Sequence, residues 1–303
     1  MLTFFALPFV VVATAAVSFH AANRTNGTIV SSGVTREYLL YVPAHYDRSM
    51  PTPLVISMHG AGGWPAQQMR TSQWNRVAEA HGFIVVYPSG ITGSGPTIWH
   101  VERSSALATD VRFIADLIDT LSARYNIDRS RIYANGLSNG GGMSFALSCT
   151  LSDRIAAVGL VGAALTLPWS WCTDERAVPM IAFHGTADPD IPYLGGFSSI
   201  SPERFPNIPG WAALWAGRNH CAPEPVDAEL TADVSRRSYA RCAGDADVLL
   251  YTVKEGGHTW PGGTPMPEWF VGTTSNDIDA SSVMWEFFQA HPLRTAPAPI
   301  LTR

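Results

Sequence analysis

Short runs of apolar, β-branched residues recur along the chain. Between them lie stretches whose apolar positions repeat every three or four residues. Leu54 to Met58 (L-V-I-S-M) and Phe83 to Tyr87 (F-I-V-V-Y) are continuous apolar runs, the pattern of strands buried on both faces. Tyr38 to Val42 reads as an earlier strand in an N-terminal hairpin. Ala66 to His81 predicts one helix, ended by Gly82. Asp110 to Tyr125 is the clearest amphipathic segment, with Val111, Ile114, Leu117, Ile118, Leu121 and Tyr125 on one stripe. Further strands are predicted at Arg131 to Ala134, Ile155 to Val161, Met180 to Phe183 and Val248 to Val253. Helices are predicted at Gly140 to Ser148, Trp211 to Ala216 and Ile278 to Gln289. Asn276 or Asp277 caps the last of these and Pro292 stops it. The alternation predicts an α/β fold, a mainly parallel sheet with helices on both faces. It runs without a repeat or linker from about residue 35 to 290, so residues 23–293 are expected to form one domain.

Composition narrows the function classes. With 46% hydrophobic and 15% charged residues among 303, the chain can fill a large core. The formal net charge of −5 argues against nucleic-acid binding, which needs clustered Lys and Arg. No phosphate-loop, dinucleotide-binding or zinc motif is present, and the nine histidines are scattered singly. No cofactor and no metal are expected.

The first residues, 2–17, are uncharged and mostly apolar, and Ala13, Ala15 and Ala16 suit a cleavage site. Residues 1–22 are therefore expected to be a secretory signal, and the protein to be extracellular. The run is too short and too proline-broken for a comfortable membrane span. The Pro/Ala-rich tail, 294–303, is expected to be disordered. An even count of four cysteines fits disulfides in a secreted chain. Of three connectivities, the short loops Cys149–Cys172 and Cys221–Cys242 are favoured. Asn23 and Asn26 head glycosylation sequons, which matter only in a eukaryotic host.

The chemistry centres on Gly136-Leu137-Ser138-Asn139-Gly140, a Gly-x-Ser-x-Gly pentapeptide. By itself the pattern is weak. A predicted strand leads into it and a small-residue helix leaves it, which is the arrangement a nucleophile elbow needs. A serine hydroxyl needs a base to take its proton. In such hydrolases the chain order is serine, acid, histidine. Of the histidines after Ser138, His258 lies in a Gly-rich loop past a strand, whereas His184, His220 and His291 read as structural. Asp188 and Asp190 both follow the Met180 strand. Asp188 is preferred, and Asp190 reads as a turn residue. The developing oxyanion needs donors. These are expected to be the Asn139 amide and, from His59-Gly60-Ala61-Gly62-Gly63, the Ala61 amide with Gly62 second. His59 reads as a loop-fixing residue.

Four motifs stand in order: H-G-A-G-G (59–63), G-L-S-N-G-G (136–141), H-G-T-A-D-P-D-I-P-Y (184–193) and G-G-H-T-W-P-G-G (256–263). Together they resemble the secreted polyhydroxybutyrate depolymerase/feruloyl esterase family of α/β-hydrolases, over residues 27 to 292 and including both cysteine pairs. The resemblance implies an α/β-hydrolase catalytic domain without a sizeable lid. It also implies a cofactor-free serine carboxylesterase, with the nucleophile on Ser138, the acid on Asp188 and the base on His258. Two departures bear on the substrate pocket. Many relatives have a cysteine where this chain has Ala61, and the stretch Gly93 to Thr109 lacks a cysteine cluster associated with some of them. Polymer-degrading relatives often carry a separate binding module, which this sequence does not display.

Loop tryptophans are the candidates for substrate contact: Trp64, Trp99 and Trp260 above all, with Trp169, Trp171 and Trp269 beside them. The alternative for any of them is packing under prolines. The leading expectation is a monomeric esterase acting on feruloyl or related esters of plant polysaccharide. A polyhydroxyalkanoate or acetylxylan is the alternative substrate. A secreted serine peptidase and a non-catalytic binding protein are the rival classes.

Overall fold

The computed structural model describes residues 25–91, 97–102, 104–164, 172–173, 176–198 and 201–294. The expected leader, Trp169, Trp171 and all but Arg294 of the expected tail lie outside the described residues.

The apolar runs become the middle of a ten-stranded sheet. In chain order its strands are β1 (Gly27–Ser31), β2 (Val34–Tyr41), β3 (Thr52–Met58), β4 (Ile84–Pro88), β5 (Ile127–Leu137), β6 (Ala157–Val161) and β7 (Met180–Gly185), followed by β10 (Val226–Glu229), β11 (Val234–Tyr239) and β12 (Val248–Val253). A separate hairpin pairs β8 (Gly196–Ser198) with β9 (Ser201–Phe205). The spatial order is β1-β2-β4-β3-β5-β6-β7-β12-β11-β10. The run from β4 to β12 is parallel. The pairings at both edges are antiparallel. β10 and β11 have no clear signal in the sequence, because V-S-R-R-S-Y alternates weakly and sits at an edge where little is buried.

The helices are α1 (Pro65–Ser72), α2 (Trp74–His81), α3 (Ser105–Arg124), α4 (Asn139–Thr150), α5 (Ile208–Arg218), the short α6 (Glu268–Val271) and α7 (Ala280–Ala290). Alternate residues of each central strand feed opposite cores. Leu54, Ile56 and Met58 pack with α3, α4 and α5. Val55 packs on the other side with α2 and α7. Full burial of one Leu or Ile side chain is worth about 1.5–3 kcal/mol, so two apolar cores back to back fix the register of the sheet.

Three helix expectations need correction. The single helix over 66–81 is two, because Gln73 turns left-handed (φ 55°) and its N–H closes on the Met69 carbonyl. No glycine or proline marks that break. α3 starts five residues earlier than Asp110, where the Ser104 side chain accepts from the Leu107 N–H. Its buried stripe contains Asp110 and Phe113 in place of half-buried Val111, since Asp110 is paired by Arg36 and His100 inside. α7 is capped by Asp279, which accepts from the Ser282 N–H, rather than by Asn276 or Asp277. Both cysteine pairs are disulfides as the short-loop pairing anticipated.

Candidate active site

Five loops leave the carboxyl ends of the parallel strands β3, β5, β6, β7 and β12, where open α/β sheets place ligands. Ser138 follows β5 directly, with φ 54° and ψ −121°. A non-glycine residue holds such dihedrals only when its surroundings impose them. Here the imposition is packing. A Cβ on Gly136 would stand 2.3 Å from the Gly140 carbonyl carbon, and one on Gly140 would stand 2.2 Å from the Met58 carbonyl oxygen. The turn is as tight as two bare backbones allow. It leaves Ser138 half-buried at the N-terminus of α4, whose first amides have no intrahelical acceptor.

Ser138 N–H donates to the Val161 carbonyl at 2.8 Å. The next residue, Gly162, has φ 52°, and a Cβ there would lie 3.1 Å from His258 Nδ1 and 3.4 Å from Asp188 Oδ2. One residue beyond β6 thus separates the serine's backbone contact from the imidazole. Asp188, in the loop after β7, and His258, in the loop after β12, are both buried. His258 Nδ1 donates to Asp188 Oδ2 at 2.8 Å. The other carboxylate oxygen, Oδ1, accepts from the amides of Asp190 (2.9 Å) and Ile191 (2.8 Å). Burial by itself would raise the Asp188 carboxyl. The hydrogen bond and charge of His258, with His184 and the Ile191 amide, outweigh it and hold the group below its ordinary value.

His184 lies behind that pair. Its Nε2 donates to the Ile191 carbonyl at 2.9 Å and stands 3.4 Å from Asp188 Oδ2. Burial pushes its pKa down despite the neighbouring carboxylate. His184 pins the Asp188 turn. The other ring nitrogen of His258, Nε2, faces a second carboxylate, with Asp190 Oδ2 at 3.8 Å.

The 59–63 loop closes the opposite side. Gly60 lies against Ser138, where a Cβ would meet the serine Cβ at 3.4 Å. The Gly62 N–H is committed to the Thr97 carbonyl at 2.8 Å, which removes it as an anion donor. Ala61 is exposed, and its N–H has no partner among the described residues. His59 fixes the loop. Its Nδ1 donates to the Gly60 carbonyl, and its Nε2 accepts from the Gly90 N–H at 3.0 Å. Burial lowers its pKa to about 4, which keeps the ring neutral and makes that pattern self-consistent.

The tryptophans correct the expectation about substrate contact. Trp99 and Trp260 are each 1% exposed. Trp99 stacks on Phe113 and donates from Nε1 to the His59 carbonyl. Trp260 donates to Ser281 Oγ. Both brace loops and present no open face, because an indole buried with its N–H satisfied is core. Trp64 is half-buried beside the 59–63 loop. Among the described tryptophans the open ring is Trp269, 87% exposed on α6. The His258 backbone N–H donates to the Val271 carbonyl at 2.6 Å, which joins the end of that helix to the His258 loop. Its run P-E-W-F-V has no periodicity that would have set it apart. Among the described residues, no three His, Cys, Asp or Glu side chains are grouped to hold a metal ion. None of the helices described is long and apolar enough to cross a membrane.

A mostly parallel sheet with a serine at a strained strand-to-helix turn and an Asp–His pair on later strand ends defines an α/β-hydrolase. The family model for esterase PHB depolymerases matches residues 36–167. Feruloyl esterase B of Piromyces equi is 31% identical over 229 residues, covering 74% of this chain and 42% of that protein. Feruloyl esterase C of Emericella nidulans is 27% identical over 273 residues, covering 88% and 87%. The putative esterase NocK of Nocardia uniformis subsp. tsuyamanensis is 29% identical over 294 residues, covering 88% and 83%. The acetyl xylan esterase from Aspergillus awamori superposes with a TM-score of 0.62 at 17% identity, over 87% of this chain and 98% of that one, a likeness of fold. Over residues 36–167 the chain is thus similar to the esterase PHB depolymerase family, and its relatives include feruloyl esterases. It spans less than half the length of the Piromyces esterase.

Proposed function

We propose that the protein is a serine carboxylic ester hydrolase working through an acyl-enzyme. The observation that carries this reading is the convergence of strained Ser138 and the Asp188–His258 pair on the backbone of Val161 and Gly162. His258 Nδ1 is held by Asp188, which leaves Nε2 to accept the Ser138 proton as Oγ attacks the ester carbonyl. The amides of Asn139 and Ala61 receive the oxyanion. Nε2 then passes its proton to the leaving alcohol, and water repeats the attack on the acyl-serine.

The leading substrate is a feruloyl or related ester on plant polysaccharide. A polyhydroxyalkanoate and acetylxylan are the alternatives. Relatives named as feruloyl esterases support the first. The exposed Trp269, with Phe270 beside it, offers flat apolar faces for a phenolic ring or a sugar. Two disulfides and the leader-like residues 1–22 support a secreted protein, and the proposed form is a monomer.

Rapid mixing with p-nitrophenyl acetate should release a burst of nitrophenol equal to the enzyme present. Ser138→Ala should lose both the burst and labelling by a fluorophosphonate. Turnover by Ser138→Ala would defeat the nucleophile assignment, and preference for p-nitroanilides would make the protein a peptidase. Product analysis on feruloylated arabinoxylan, acetylxylan and polyhydroxybutyrate in parallel then decides the substrate.

A further inference from the structure

We propose that Asp190 selects the alcohol half of the ester. It does so by accepting a hydrogen bond from a hydroxyl adjacent to the scissile oxygen, so that the preferred leaving group is a vicinal polyol such as a sugar. This rests on the ester-hydrolase reading above.

Asp188 and Asp190 are two residues apart but meet opposite edges of one ring. The Asp188 side chain is wholly buried, and both its oxygens are engaged by His258 Nδ1 and by backbone amides. The Asp190 side chain is 22% exposed, and its Oδ2 lies 3.8 Å from His258 Nε2. That distance is too long for a hydrogen bond, so the carboxylate is not consumed by the imidazole. The position is fixed by the chain. Pro189 restricts the backbone between the two acids, and the Asp190 amide donates to Asp188 Oδ1.

Nε2 is the atom that returns the proton to the departing alcohol. A carboxylate beside it therefore borders the alcohol side of the ester, away from the acyl chain. Such a group offers acceptors only. When a substrate displaces the water around it, its desolvation goes uncompensated unless the substrate brings a donor. A simple alkyl alcohol brings none. A vicinal polyol brings a hydroxyl one carbon from the ester oxygen, within reach of an oxygen already next to Nε2. An anionic leaving group would be repelled.

The test compares propyl acetate with 1-acetylglycerol, which share an acyl group and differ by hydroxyls on the alcohol. The wild type should favour the glyceryl ester in kcat/KM. Asp190→Ala should reduce that preference about tenfold or more, the scale of a hydrogen bond to a charged group. Asp190→Asn keeps a carbonyl acceptor and should recover part of it, with the urea midpoint confirming that both variants are folded. An unchanged ratio in Asp190→Ala overturns the proposal. So does an equal fall on both esters with a displaced pH profile, since Asp190 would then act through His258. A wild type inert toward p-nitrophenyl acetate overturns the hydrolase reading itself, and this inference with it.

Discussion

The side-chain amide of Asn139 closes two hydrogen bonds on the backbone of Trp99. Its Oδ1 accepts from the Trp99 N–H at 2.7 Å, and its Nδ2 donates to the Trp99 carbonyl at 3.0 Å. The residue whose amide is proposed to receive the oxyanion thus also clamps the segment that braces the 59–63 loop from below. Asn139→Ala keeps the backbone amide and removes the clamp. Stability should fall by about 1–3 kcal/mol, the scale of two lost hydrogen bonds. The two donor amides should lose alignment, and kcat should fall about tenfold while the serine still labels with a fluorophosphonate. Unchanged kcat would show that the clamp does not position the donors.

Acid should destabilise the fold in two windows. An unfolded histidine titrates near 6.5, whereas buried His59 is pushed down to about 4 and His184 is also lowered. Between those values the unfolded chain binds protons that the folded chain refuses. Stability is therefore present above 6.5 and is lost as pH falls toward 4. For His59 the loss from pH 7 to pH 5 is about 2 kcal/mol. Asp188 acts lower. Its depressed folded pKa adds stability that is present above the unfolded value and disappears as pH falls through the folded one. Urea midpoints at pH 7 and pH 5 check the first window, and His59→Asn should flatten it.

Reduction should weaken the fold through its unfolded state. The Cys149–Cys172 and Cys221–Cys242 bonds close loops with sequence separations of 23 and 21. Each should contribute about 3 kcal/mol on the chain-entropy account. The Cys221→Ser/Cys242→Ser pair should lower the thermal midpoint without changing KM for p-nitrophenyl acetate. An unchanged midpoint would count against that contribution.

Trp269 should matter for large substrates only. Its ring is 87% exposed, so Trp269→Ala should leave the urea midpoint within about 0.5 kcal/mol of the wild type. KM for feruloylated arabinoxylan should rise while p-nitrophenyl acetate is hydrolysed as before. An equal KM for the polymer would show that the ring lies outside the substrate path.

The candidate site is more legible in the sequence than its surroundings. Ser138 could be chosen from its Gly-x-Ser-x-Gly turn, and Asp188 and His258 from chain order after the apolar strands β7 and β12, because buried strands announce themselves by composition. The choice of Ala61 over Gly62 had no such signal. It is the Thr97 carbonyl, distant in sequence, that occupies the Gly62 amide. Trp99 and Trp260 look like loop aromatics until His59 and Ser281 are found holding their ring N–H groups. The Gln73 break and the edge strands β10 and β11 leave no mark on the apolar pattern.

The sequence by itself determined the parallel core and the strained turn at Ser138, and it favoured one cysteine pairing among three, since periodicity, glycine placement and short spacing are local properties. Only the tertiary structure decided which side of His258 each aspartate takes, which amide stays free for an anion and which indole remains open. Each of those depends on contacts between segments far apart in the chain. Whether a polar group is available for chemistry is settled by what already occupies it.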